Sequence, residues 1–141
     1  MDYEQMTAPC GLDCFNCQFY LANDNQEIRS ELAKKLRVPE EKLLCRGCRE
    51  GKGAPDIFKL MDKRDPCKAY KCAEGKNIRF CHECSDFPCD HLHPFADKAG
   101  MVPHNTKVFN LCLIKKMGLG AWAEEKAGKV KDTYFNGEWK L

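Results

Sequence analysis

At 141 residues the chain has the size of one domain, and 23 Lys and Arg against 21 Asp and Glu leave a net charge of +2. That balance lacks the concentrated basic excess of a dedicated nucleic-acid binder, and no apolar run approaches the roughly 18–20 residues that cross a bilayer. The opening Met-Asp-Tyr-Glu-Gln-Met has neither a basic nor an apolar leader region, so the expected location is the cytoplasm.

Residues 1–50 open with Cys10, Cys14 and Cys17 and close with Cys45 and Cys48. Between them Ile28, Leu32 and Leu36 recur every fourth residue, which predicts a helix with one apolar face. Asp24 is its expected N-cap, Glu27 the reciprocal capping residue, and Pro39 follows its end. Residues 51–91 are irregular. Gly51-Lys52-Gly53-Ala54-Pro55 reads as a loop without phosphate-binding spacing, and Asp56 to Lys63 as a short helix carrying Ile57, Leu60 and Met61. Two further cysteine groups follow. Lys59, Lys63, Arg64, Lys68, Lys71, Lys76 and Arg79 are interleaved with Asp62, Asp65 and Glu74, a solvated face.

In residues 92–141, Asn105 or Thr106 is placed to cap a helix to about Met117, with Val108, Phe109, Leu111, Cys112, Leu113 and Ile114 on a broad buried face. Gly118 should end it in a left-handed cap, and Leu119 to Ala127 should form a second helix presenting Trp122. Tyr134-Phe135-Asn136-Gly137-Glu138-Trp139 has Asn-Gly between aromatic residues and predicts a β-hairpin at about 132–141. The expected architecture is a small metal-stabilised α+β domain spanning 1–141, mainly helical, with irregular cysteine-rich loops, a core over 8–126 and a C-terminal β-hairpin.

The chemistry lies in the cysteines, 11 in all, an odd number that cannot pair completely as disulfides. In a reducing compartment, clustered cysteines read as metal ligands or redox groups. Ten fall into short-spaced groups: Cys10, Cys14 and Cys17; Cys45 and Cys48; Cys67 and Cys72; Cys81, Cys84 and Cys89. Two thiolates two to four residues apart grip one ion from a single turn, and zinc takes four in a closed tetrahedron. Each such ion contributes on the order of 10 kcal/mol to folding, more than the sparse apolar content of residues 51–91 can supply. Two zinc ions are expected. One is expected at Cys10, Cys14, Cys17 and one of the later triple, with Cys89 preferred, the other at Cys45, Cys48 and two of Cys67, Cys72, Cys81 and Cys84. Cys112, alone on an apolar helix face, is expected to be buried packing.

The triple Cys10, Cys14, Cys17 has the spacing of enzymes that cleave S-adenosylmethionine at an iron–sulfur cluster, but the chain lacks the length and alternation of their α/β barrels. A plain iron–sulfur cluster on those three cysteines is the alternative cofactor. His82, His91 and His93 flank the last group as further candidate ligands or supporting groups, and His104 reads as part of a capping segment.

The blocks Cys10-Gly-Leu-Asp-Cys14-Phe-Asn-Cys17, Cys45-Arg-Gly-Cys48 and Phe80-Cys81-His-Glu-Cys84-Ser-Asp-Phe-Pro-Cys89 resemble a prokaryotic family of small cysteine-rich domains of unknown function. The resemblance covers residues 8–126 and implies zinc binding without implying a reaction. The favoured function is therefore a zinc-binding scaffold for an unknown protein partner, with no catalytic residues. A thiol redox protein would use Cys14-Phe-Asn-Cys17 but lacks the surrounding strands. A nucleic-acid-binding zinc module would need Phe15, Phe19 and Tyr20 free to stack on bases, where packing around the metal loop is the expected role.

Overall fold

The computed structural model describes residues 1–60, 65–97, 99–138 and 140. Among these residues eight α-helices follow in order: α1 Gln18–Leu21, α2 Gln26–Leu36, α3 Gly47–Glu50, α4 Ile57–Leu60, α5 Lys68–Gly75, α6 Lys107–Met117, α7 Leu119–Trp122 and α8 Gly128–Asn136. A π-helical turn, Ala123–Ala127, joins α7 to α8 without a break. The cysteine-rich stretches form single 3-10 turns at Cys14–Asn16 and Cys81–Glu83. Among the described residues the only extended pairing is an isolated antiparallel bridge between Thr7 and Asp13. The protein is mainly helical.

α2 forms where its periodicity predicts, but its cap is Asn25, whose side chain accepts the Ile28 amide at 3.1 Å. Asp24 and Glu27 therefore do not form the expected capping pair. Ile28 and Leu32 pack with Ala22, Leu43 and Phe19, whereas Leu36 at the C-terminal end is 41% exposed. Arg37 ends the helix in left-handed geometry (φ 56°, ψ 44°). α4 occupies the expected short helix as far as Leu60; Met61, Asp62, Lys63 and Arg64 lie outside the described residues.

Thr106 precedes α6 without capping it, its hydroxyl donating back to the Pro103 carbonyl at 2.7 Å, and the helix buries Lys107, Asn110, Leu111 and Ile114, spaced i, i+3, i+4, i+7 along one stripe. The buried face is thus narrower than expected. Phe109 is 58% exposed, and Cys112 points outward with it, so Cys112 is not the buried packing residue that the apolar run suggested. Gly118 does end α6 with positive φ (85°), though with ψ 157° rather than left-handed helical geometry.

Among the described residues the expected C-terminal β-hairpin does not form. Residues 128–136 continue the helix through Phe135, and Asn136-Gly137 serves as its terminus, with the Gly137 amide donating to the Thr133 carbonyl at 2.9 Å. Tertiary contacts override the turn signal. The Tyr134 hydroxyl donates to the Ala99 carbonyl at 2.9 Å, Lys131 donates to the Asn16 carbonyl, and Ala123 and Ala127 pack beside Trp122 one turn earlier. A helix presents all of these on one side; a strand, with its period of two, would not. Trp139, the far side of the expected hairpin, lies outside the described residues.

Candidate metal centre

The cysteine-bearing segments come together through named backbone and side-chain ties. The loop carrying Cys10 closes on itself, with Ala8 and Leu12 paired at 2.8 Å and the Gly11 amide on the Ala8 carbonyl at 2.9 Å. Gly11 takes φ +85°, and a Cβ there would stand 2.9 Å from Leu111 Cγ, so the position requires glycine. The Cys81 amide donates to the Pro9 carbonyl at 2.8 Å, docking the last cysteine group on the first. Asn23 clamps the backbone of Cys45 from both sides, donating to its carbonyl at 2.7 Å and accepting its amide at 3.0 Å. Arg49 lies over the Phe80 ring, 5.1 Å from its centre, and donates to the carbonyls of Thr7 and Arg79, both at 2.8 Å. The Gly53 carbonyl accepts the Cys67 amide at 2.8 Å.

These ties sort the thiols into neighbourhoods. Cys14 feels Cys17, Cys45 and Cys10 and accepts a hydrogen bond from the Cys48 amide. Cys17 feels Cys45 and accepts the Phe19 and Tyr20 amides. Cys72, Cys81, Cys84 and Cys89 line one cavity of about 170 Å³, together with Lys76, Asp86, Phe87 and His91. Cys10 and Cys67 lie between the two sets. Each is felt by both Cys48 and Cys81, and Cys67 has the largest charge effect on Cys10. Cys89 and Cys81 thus line the same cavity, and Cys14 lies close enough to Cys45 and Cys48 to be acted on by the one and to accept the other's amide. Cys10 and Cys45 are buried and the other eight half-buried. Among the described residues, no three His, Cys, Asp or Glu side chains already stand at single-ion spacing.

Burial and mutual crowding keep several of these thiols protonated. Burial pushes the Cys10 thiol up to about 11, with Cys67 adding to it. It pushes Cys14 up to about 12, where Cys17, Cys45 and Cys10 add, and Cys81 up to about 12, where Cys10, Cys89, Cys72 and Cys67 add. Cys48 and Cys17 are raised by burial as well. The same crowding that penalises several thiolates is relieved by a bound cation, which displaces the protons. Cations already stand beside the sulfurs: Lys107, buried, beside Cys10; Lys131 beside Cys17; Arg49 beside Cys48; and Lys76, whose Nζ is 3.0 Å from Cys84 Sγ. The Asp86 amide also donates to Cys84 Sγ, at 3.4 Å. In donor type, burial and amide hydrogen bonding the residues fit a thiolate-held metal.

The histidines divide. His91 lines the cysteine cavity. His82 stacks on Phe80 at 5.8 Å, its Nε2 buried without a hydrogen-bond partner among the described residues, and burial lowers its pKa. His93 Nδ1 meets the adjacent Pro94 carbonyl at 2.6 Å. Phe15 is packed edge-on between Tyr3 and Trp122, Phe19 joins the α2 cluster, and Tyr20 covers Gly47. These rings are occupied by packing. The basic stretch is partly neutralised, Lys59 by Asp56, Lys76 by Asp86 and Arg79 by Glu83 and Glu4.

Sequence reasoning missed the supporting residues Asn23, Arg49, Lys107 and Asn110. Asn110 and Lys107 carried one signal, polar residues inside an apolar helical stripe. Nothing local marks Asn23 or Arg49, whose partners lie 22 to 42 residues away. A wider open groove of about 820 Å³, between Asn23, Leu44, Arg46, Asp56 and Leu60, contains no cysteine and lies apart from this chemistry. No helix among the described residues is long and apolar enough to cross a membrane.

The family model described as "Protein of unknown function (DUF3795)" matches residues 6–94, a span that contains all ten clustered cysteines and stops short of α6. No curated protein and no solved structure matches the chain.

Proposed function

We propose that this chain, which belongs to the DUF3795 family of proteins of unknown function, is a cysteine-thiolate zinc protein whose two metal centres hold its loops in shape as a scaffold for a protein partner in a reducing, cytoplasmic setting. One observation carries the reading: four cysteines from α5 and the 81–89 loop line a single cavity, with an ammonium and a backbone amide directed at one of the sulfurs. Packing alone gives no reason to gather four thiols and aim donors at them, whereas a thiolate–metal centre requires both. The middle cluster points the same way. Around Ala8, Ala69, Phe80, Leu92 and Leu111, the half-buried members include Cys48, Cys67, Cys81 and Cys89, so sulfur takes up much of the space that larger apolar side chains would fill.

The test is to purify the protein without oxygen, record its absorption spectrum and measure its metals by elemental analysis. Colourless protein with two zinc ions per chain is expected, and a strong chelator under reducing conditions should then abolish cooperative unfolding. A metal-free chain that stays cooperatively folded would overturn the proposal. A second reading is an iron–sulfur cluster at Cys10, Cys14 and Cys17, since thiolate donors serve iron as well as zinc. Brown protein absorbing near ~400 nm and containing iron would establish it instead.

A further inference from the structure

We propose that Lys107, a buried lysine on α6, is the counter-ion of the metal centre to which Cys10 belongs, its ammonium balancing thiolate charge there and so helping to hold the metal. The inference rests on the reading that Cys10 binds metal, and it goes further by assigning a positioning residue that supplies charge rather than a ligand.

The first support is burial without a carboxylate. Lys107 is 5% exposed. Lysine is almost never buried unless an opposite charge accompanies it, because an unpaired ammonium stripped of water is costly. Among the described residues no carboxylate stands within ion-pair distance of it. Its Nζ donates to the His91 carbonyl at a long 3.4 Å and lies over the Phe95 ring, 5.9 Å from the centre. A carbonyl and a ring face attract an ammonium without cancelling its charge. The position calls for an anion.

The second support is placement. The backbone of Lys107 packs on the first cysteine loop, so closely that a Cβ on Gly11 would stand 3.1 Å from its carbonyl oxygen. Asn110, the next residue along the buried stripe, fixes that register by donating to the Gly11 carbonyl at 2.9 Å. From there the Lys107 side chain runs to the carbonyl of His91, a residue that lines the cavity with Cys81 and Cys89. It therefore spans the first and last cysteine segments, which the Cys81 amide joins at the Pro9 carbonyl, 2.8 Å away. Cys10, also buried, lies in the first of these segments. Burial and Cys67 raise its thiol, and the charge of Lys107 acts against both. Four thiolates on a zinc ion carry a net double negative charge, which water offsets at an open site. At a buried sulfur a fixed cation must do so instead. Lys107 lies beyond the residues 6–94 that the family model matches, so the helix following that span serves the cysteine loops.

The experiment uses the full-length zinc-loaded protein and three variants. Lys107→Met keeps the length of the side chain without its charge, Lys107→Gln is neutral but polar, and Lys107→Arg retains the charge. Zinc is drawn off by graded amounts of a chromogenic chelator under reducing conditions, while a thiol-alkylating reagent marks Cys10 as it loses protection, read by mass spectrometry. Both neutral variants should hold the zinc that protects Cys10 about 10- to 100-fold more weakly, the usual cost of removing a group that supports a metal ligand. Lys107→Arg should recover most of that loss. Zinc retention in the neutral variants equal to that of the parent would overturn the proposal, and so would equal weakening in all three, which would make the role one of packing. Parent protein that carries no zinc and labels fully without chelator would instead overturn the metal reading on which the proposal stands.

Discussion

Replacing Asn110 with alanine should destabilise the metal-loaded protein by about 2–4 kcal/mol, because besides the Thr106 hydroxyl one turn back its amide serves two buried partners on other segments. Asn110 is 2% exposed. Its Nδ2 donates to the Gly11 carbonyl at 2.9 Å, and its Oδ1 accepts the indole N–H of Trp122, a wholly buried side chain, at 3.4 Å. A buried polar group left without its partner costs about 1–3 kcal/mol. The Gly11 carbonyl, on a buried residue at good distance, falls in the middle of that range. The longer indole contact falls at its lower end, and the sum gives the stated figure. The assay is denaturant unfolding at fixed metal loading. Phe109→Ser serves as control: it lies next along α6 at 58% exposure and should change stability by no more than about 0.5 kcal/mol. Because Gly11 lies in the Cys10–Cys14 loop, part of the Asn110 loss should also appear as weaker metal retention. A change below about 1 kcal/mol, or one equal to that of the control, would refute the claim that this side chain ties α6 to the cysteine loop.

Gly53→Ala should cost about 1–3 kcal/mol, since Gly53 adopts φ +80° and a Cβ would stand 2.7 Å from Tyr70 Cδ1 on α5; unchanged thermal unfolding would contradict this. Cys112→Ser should leave both metal content and stability within about 0.5 kcal/mol of the parent, because that thiol is exposed and outside both sets; loss of a metal equivalent on elemental analysis would place it in a centre. Asp56 accepts hydrogen bonds from the Arg46 amide at 3.1 Å and from its guanidinium at 3.2 and 3.3 Å, with Lys59 at 3.2 Å, and these hold its carboxyl down at about 2. A lowered carboxyl stabilises the folded state above its ordinary value of 3.8 and loses that contribution as pH falls toward about 2. Asp56→Asn should therefore be the less stable protein at neutral pH, with the gap closing across that acid window; a gap independent of pH would contradict the assignment.

Much of the cysteine grouping could be read from the chain because it is local. Residues two to five apart must lie within one turn of backbone, so Cys14 with Cys17 and Cys81 with Cys84 are neighbours whatever surrounds them. α2 and α6 were legible for a similar reason, since an apolar period of 3.6 specifies one buried stripe. The errors lie where a local signal met a stronger distant one. Asn136-Gly137 favours a hairpin in isolation, yet the contacts of Tyr134 with Ala99 and of Lys131 with Asn16 need helical spacing. Cys112 belongs to an apolar run, but the stripe that α6 buries is set by Lys107, Asn110, Leu111 and Ile114 meeting the first cysteine loop and Trp122.

The sequence alone determined that ten cysteines stand in four short-range groups, that the chain is largely helical, and where the principal helices run. Only the tertiary structure decided which groups meet. Joining Cys14 to Cys45, or bringing the 81–89 loop against Pro9, closes loops of about 30 to 70 residues, and the entropy of closure changes little with loop length, so spacing cannot select among the possible partners. The selection is made by packing and by single long-range hydrogen bonds, those of Asn23, Arg49 and the Cys81 amide, whose partners no local pattern announces.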